Sequence, residues 1–117
     1  MSLAVLSSAS VIPAPVITEL VLVTGSRTPA IRSAARGLID AFTLKGCEFP
    51  AFERGHADLS MRARDLYGRG NGRGGKLNFG DLMVYAIAKE RGEPVLCTGG
   101  DFATTDLEIH PASRLDL

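Results

Sequence analysis

Apolar runs too short for helices alternate along this chain with longer segments of helical period, and that alternation limits the fold more tightly than any single residue does. Strands separated by helices pair in parallel through right-handed crossovers. The pattern therefore implies an α/β fold with helices on both faces of a parallel sheet, a three-layer α/β/α sandwich. At 117 residues the chain has the size of one domain, and residues 1–117 read as a single unit without internal repeats. Folds of this kind gather their chemistry beyond the carboxyl ends of the strands.

Proline and glycine set the boundaries. Residues 4–8 read as the end of a helix and residues 10–13 as a strand. Pro15 suits a first helical turn, giving a helix over Ala14–Thr24 closed by Gly25, with Val16, Ile17, Leu20 and Val21 turned inward. Pro29 opens a second helix running to Thr43, with Ile31, Ala34, Ala35, Leu38, Ile39 and Phe42 on one side, and Gly46 ends it. Residues 47–52 alternate apolar and polar around Pro50 and read as a strand near a sheet edge, because proline cannot donate a ladder hydrogen bond. A third helix over Arg54–Tyr67 turns Ala57, Leu59, Ala63 and Leu66 inward. Five glycines within residues 68–76 dictate an irregular loop. Asn78 then caps a helix to Arg91, whose Phe79, Leu82, Met83, Ala86 and Ile87 recur at three and four. Residues 94–98 make a short strand, Gly99 and Gly100 a turn, and residues 101–106 a short helical turn before a polar tail.

Charge excludes one class of function. Thirteen Lys plus Arg balance thirteen Asp plus Glu, so affinity for nucleic acid has to come from a local patch and not from the net field. Arg62, Arg64, Arg69, Arg73 and Lys76 place five cationic side chains within fifteen residues, and Arg69, Arg73 and Lys76 lie on the glycine loop itself. Such a loop can grip phosphates, or it can be a solvated polar surface. Cys47 and Cys97 stand fifty positions apart without the close spacing of a zinc site, and two cysteines alone do not establish a disulfide. A reducing, cytoplasmic setting is expected. The apolar stretch over residues 4–23 is broken by Pro13, Pro15, Thr18 and Glu19, so no membrane span is expected.

Three acids sit where chemistry could use them. Glu19 interrupts the apolar run over residues 16–23, where a desolvated carboxylate needs a partner unless it faces solvent. Asp81 lies three residues after Asn78, where an acid can close a capping box and complement the helix dipole. Asp101 follows the Gly99-Gly100 turn and could simply cap the next turn. The functional alternative brings Glu19, Asp81 and Asp101 together on one rim. Like charges so clustered require a hard cation such as Mg²⁺ or Mn²⁺ between them.

The run Gly75-Lys76-Leu77-Asn78-Phe79-Gly80-Asp81-Leu82, continuing to Lys89, closely resembles the signature of PIN-domain ribonucleases of the VapC toxin family. The run from Gly92-Glu93-Pro94 through Cys97-Thr98-Gly99-Gly100-Asp101 to Leu107 looks like that family's closing strand and acidic turn, and Ala14-Pro15-Val16-Ile17-Thr18-Glu19 is similar to its acid-bearing helix. The resemblance implies a Mg²⁺- or Mn²⁺-dependent endoribonuclease. Glu19, Asp81 and Asp101 would be its catalytic and metal-holding acids, with Asp106 as the fallback for Asp101. Arg69, Arg73 and Lys76 would hold RNA, a VapB-type antitoxin would block the site, and the chain would form a homodimer. His56 and His110 are not required and are expected at the surface.

One departure is conspicuous. Family members begin with an apolar strand ending in Asp, in the middle of the sheet, whereas no Asp precedes Asp40 here. A vacancy between residues 10–13 and 94–98 would leave backbone groups unpaired in a core. It could be filled by sequence upstream of a truncated reading, by direct pairing of the flanking strands, or by another chain. The resemblance without this first strand and its Asp implies impaired nuclease activity, or an inactive PIN-fold module that dimerises or binds an antitoxin.

Overall fold

A computed structural model describes residues 4–6, for which the backbone alone is considered, and residues 11–116. Six elements follow in order: β1 (Ala4–Leu6), α1 (Ala14–Thr24), α2 (Pro29–Leu44), α3 (Arg54–Tyr67), α4 (Phe79–Arg91) and β2 (Val95–Cys97). Ser7, Ser8 and Ser10, which belonged to two of the expected elements, lie outside the described residues.

The core is built around α4. Asn78 caps its start and Gly92, in the left-handed region at φ 65°, ends it, while Lys89 and Arg91 complement the carbonyl end of the dipole. Val84, Tyr85, Ala86, Ile87 and Ala88 are all buried, so this helix is covered on every side. Val84 and Tyr85 share a cluster with Val16, Ala63, Val95 and Phe102, and Ile87 and Ala88 pack with Val11. α3 packs along α4, burying Ala63 and leaving Leu66 56% exposed against the expectation that it faces inward.

β2 lies in the core, with Val95 fully buried and Cys97 nearly so. β1 pairs with it in the antiparallel sense, Ala4 opposite Cys97 and Leu6 opposite Val95. Residues 4–6 are therefore a strand and not the end of a helix: three apolar residues carry no period, and pairing with a partner edge decides their conformation. On the other edge of β2 the Val95 amide donates to the Glu108 carbonyl at 2.9 Å and the His110 amide donates to the Val95 carbonyl at 2.8 Å, a parallel bridge to Ile109. A second parallel bridge joins Thr98 to Arg114, so the segment read as a polar tail is tied to the sheet.

The expected strand over residues 47–52 shrinks to a single parallel bridge between Val11 and Glu48, with the amides of Ile12 and Ala14 donating to the carbonyls of Glu48 and Pro50, both at 2.9 Å. Pro50 ends the ladder it was expected to border. Residues 101–106 form turns, not a helical segment. The Thr105 hydroxyl donates to the Phe102 carbonyl at 2.7 Å and accepts from the Leu107 amide, a local side-chain competitor to helix formation.

α2 differs from the other described helices. Its apolar residues share one side by period, and none of its residues is buried. Period records that a face is apolar; it does not supply a neighbour. α2 lies against α1, and between them and Leu96 of β2 is a wholly apolar cavity of about 220 Å³, lined in part by Leu38, Ile39 and Phe42.

The glycine loop is ordered by its neck. The Leu77 amide donates to the Tyr67 carbonyl at 3.0 Å and the Arg69 amide to the Leu77 carbonyl at 2.8 Å. Asn71 braces the interior, its Oδ1 accepting from the amides of Arg73 and Gly75. A Cβ on Gly75 would run into the Gly68 carbonyl oxygen, which explains glycine at the closing position.

Candidate active site

Asp81 is placed by the start of α4 and is 2% exposed. Its amide donates to Asn78 Oδ1 at 2.9 Å, and its own Oδ2 accepts from the Asn78 amide at 3.2 Å. The capping box anticipated from the spacing is present, and it fixes this carboxylate at the positive end of the helix dipole. Capping therefore holds the group that the resemblance singles out.

Glu19 arrives from α1. Pro13 and Pro15 start that helix, and burial of Val16 against the α4 cluster sets its rotation. Glu19, three residues on, then faces the start of α4 instead of solvent. Its Oε2 would lie 2.6 Å from a Cβ at Gly80, so this approach exists because position 80 has no side chain. Glu19 is half-buried, and its carboxyl is pushed above the ordinary range first by desolvation and then by the negative charge of Asp81. Two hard oxygen donors repelling one another at the junction of α1 and α4 fit a divalent cation, whose binding would remove the repulsion.

Asp101 follows the Gly99-Gly100 turn and is half-buried. Its charge and that of Asp81 both act on the Cys97 thiol, which burial, the larger cause, already pushes up. Asp101 is thus near Cys97, the last residue of β2, whereas the acid that acts on Glu19 is Asp81. Among the described residues, however, no group of three or more His, Cys, Asp or Glu side chains could hold a metal ion. Glu19 and Asp81 are the pair that the fold brings together.

Asp106 is differently employed. It accepts 2.6 Å hydrogen bonds from the Tyr85 hydroxyl and from Lys89 Nζ, tying the 101–106 turns to α4. Burial opposes its ionisation, but these two partners outweigh burial and hold its carboxyl below the usual range, while Tyr85 is pushed up first by burial and then by the bond to Asp106. Spacing alone gave no sign of this lock, since Tyr85 and Lys89 lie on α4 and Asp106 on a separate segment.

Arg69, Arg73 and Lys76 are all exposed on the loop that leads into α4. His110 is half-buried, and His56, expected at the surface, is buried: Nδ1 accepts from the Glu53 amide at 2.8 Å and the ring lies 5.7 Å from that of Phe52. Glu90 Oε1 is 3.0 Å from His56 Nε2 but misses the direction of a hydrogen bond. A histidine at the third position of a helix, able to accept from the cap amide, was the available signal for this structural role.

A cleft of about 640 Å³ opens beside the acid pair. Glu19 lies among residues of α1 on one wall, Ala51 and Phe52 form a second, and residues 78–80 with Met83 form the third. Phe79, which shares the three-and-four spacing of Ala86 and Ile87, lines this cleft and is 79% exposed.

The chain is similar to curated proteins of one kind. It is 37% identical over 100 residues to ribonuclease VapC36 of Mycobacterium tuberculosis, an alignment covering 85% of this chain and 69% of that protein. It is 38% identical over 84 residues to ribonuclease VapC42 of the same organism, covering 72% of this chain and 60% of the relative. Ribonuclease VapC28 matches at 37% identity over 91 residues, 64% of its length. No protein-family model matches. The breadth of the likeness makes the chain a member of the VapC family of PIN-domain ribonucleases, with the PIN-like α/β fold that membership implies. No described helix is long and apolar enough to cross a membrane.

Proposed function

We propose that this chain is a VapC-type toxin: a metal-dependent endoribonuclease acting on RNA phosphodiester bonds and restrained by a VapB-type antitoxin. The observation that carries the reading is the Glu19 carboxylate lodged against Gly80 beside the buried Asp81. Glu19 and Asp81 would hold Mg²⁺ or Mn²⁺, with Asp101 contributing charge from beyond the end of β2. When bound, such a cation activates water and neutralises charge on the attacked phosphate. The chain's own part is to hold the two acids at a fixed separation through the Asn78 cap and the α1–α4 contact. Arg69, Arg73 and Lys76 would draw phosphates toward the start of α4.

With two carboxylates brought together and no three-donor group among the described residues, cleavage is expected to be slow. The unburied apolar side of α2 favours a second role beside it, a protein interface for a homodimer or an antitoxin. The test is cleavage of a structured RNA with and without Mn²⁺. Metal-dependent cleavage lost by at least two orders of magnitude in Asp81→Asn is the expected result, since the cation stabilises several kcal/mol of transition-state charge. Undiminished cleavage in that variant would contradict the assignment.

A further inference from the structure

We infer that the cleft beside Glu19 receives an unpaired base of an RNA strand, stacked on the ring of Phe79, while the neighbouring phosphate lies at the carboxylate pair. The inference rests on the ribonuclease reading and adds to it how the strand is positioned.

Phe79 is the first residue of α4, two positions before Asp81, and keeps 79% of its surface exposed. The helix start is fixed by the Asn78 cap, so the ring is presented from a rigid support and not from a mobile loop. It shares the cleft with Pro15, Leu22, Phe52 and Met83, which are apolar, and with Glu19, whose carboxylate lies against Gly80, next to Asp81 in sequence. Walls so largely apolar, with a carboxylate among them, do not favour a phosphate. They suit the flat apolar face of a base, and the Thr18 hydroxyl and Asn78 side chain, also lining the cleft, can meet its polar edge. Phosphates have a separate place to go, since Arg69, Arg73 and Lys76 are exposed on the loop entering the same helix start.

A duplex keeps its bases stacked and its deep groove closed to side chains, so an occupant of this cleft has to come from a single-stranded segment. The cleft and the acid pair share Glu19, which places base and scissile phosphate on adjoining positions of one strand.

The experiment uses the full chain and a short single-stranded RNA carrying one 2-aminopurine, whose fluorescence is quenched on stacking. The expected result is quenching on binding, with affinity reduced roughly 5- to 150-fold in Phe79→Ala, the range for loss of one base–aromatic stack, and retained in Phe79→Trp. The same strand annealed to its complement should show no quenching that depends on Phe79. A melting curve checks that the exposed position has not altered folding, and calorimetry with Mn²⁺ should give the same affinity in wild type and Phe79→Ala. Equal RNA affinity and equal fluorescence in wild type and Phe79→Ala would overturn the inference. So would conversion of a dimer to a monomer by Phe79→Ala with fluorescence unchanged, which would make the cleft an interface between copies. Phe79-dependent quenching in a chain that binds no Mn²⁺ would support the cleft and sink only the metal-dependent reading.

Discussion

The two halves of this molecule handle apolar surface in opposite ways. Around α4 and β2 the chain buries it: Ala86, Ile87, Ala88, Val95 and Phe102 have no accessible surface. Along the outer half of α1 and all of α2 it does not. Val21 is 50% exposed, Leu22 74%, Leu38 50% and Leu44 89%, and α2 buries nothing. The first half behaves as a scaffold and the second as a surface. Glu19 stands at their boundary, on the part of α1 that Val16 anchors, and Asp81 stands on the scaffold. The candidate site is therefore precise on one side and only as precise as the α1 anchor on the other.

The contrast should appear first in stability. Phe102→Ala empties a fully buried site and is expected to cost about 3–5 kcal/mol, whereas Leu38→Ala on α2 should cost less than about 1 kcal/mol. Urea denaturation of both variants checks this, and similar losses would mean that α2 is part of the core. Asp106→Asn should cost about 1 kcal/mol, because it weakens the bonds from Tyr85 and Lys89 that tie the 101–106 turns to α4. The stability that Asp106 contributes is present above the ordinary carboxylate range and lost as pH falls through its lowered value. Denaturation below pH 4 should accordingly narrow the gap between wild type and Asp106→Asn.

Gly80→Ala sharpens the comparison, since its effect on stability is the smallest and its effect on the site should be large. The added methyl would clash with the end of the Glu19 side chain, which can swing away, and meets Asn78 Oδ1 at an ordinary contact distance of 3.6 Å. Alanine is also favoured over glycine inside a helix by about 1 kcal/mol. The variant should be as stable as wild type or slightly more so while losing metal-dependent cleavage. Retained cleavage would show that the approach of Glu19 to Gly80 is dispensable.

The sequence carried the helices well and their surroundings poorly. α1 and α3 match the boundaries read from it because Pro15, Gly25 and Gly68 punctuate the helical period, and Asn78 and Gly92 do the same for α4. The family was legible for a related reason, since its signature lies in that capped helix and the strand after it. What could not be read were properties created by neighbours. Residues 4–6 become a strand because β2 offers an edge. The apolar side of α2 has the period of a packed helix, but its contact with α1 leaves none of its residues buried. Phe79 shares the three-and-four spacing of the buried Ala86 and Ile87 yet lines the cleft, because the first turn of α4 reaches beyond the scaffold that covers its middle. Glu19 was recognisable as a carboxylate in an apolar run, but only the fold could show that it faces Gly80.

In the proposed site Glu19 and Asp81 oppose one another closely enough to share a cation. Calorimetric titration with Mn²⁺ tests this without depending on RNA. Binding is expected in the wild-type chain, at least tenfold weaker in both Glu19→Gln and Asp81→Asn. It should also weaken as acid protonates Glu19, at a pH above that of an ordinary carboxylate, because desolvation and Asp81 raise it. Mn²⁺ affinity unchanged in both variants would show that these two carboxylates do not share a cation.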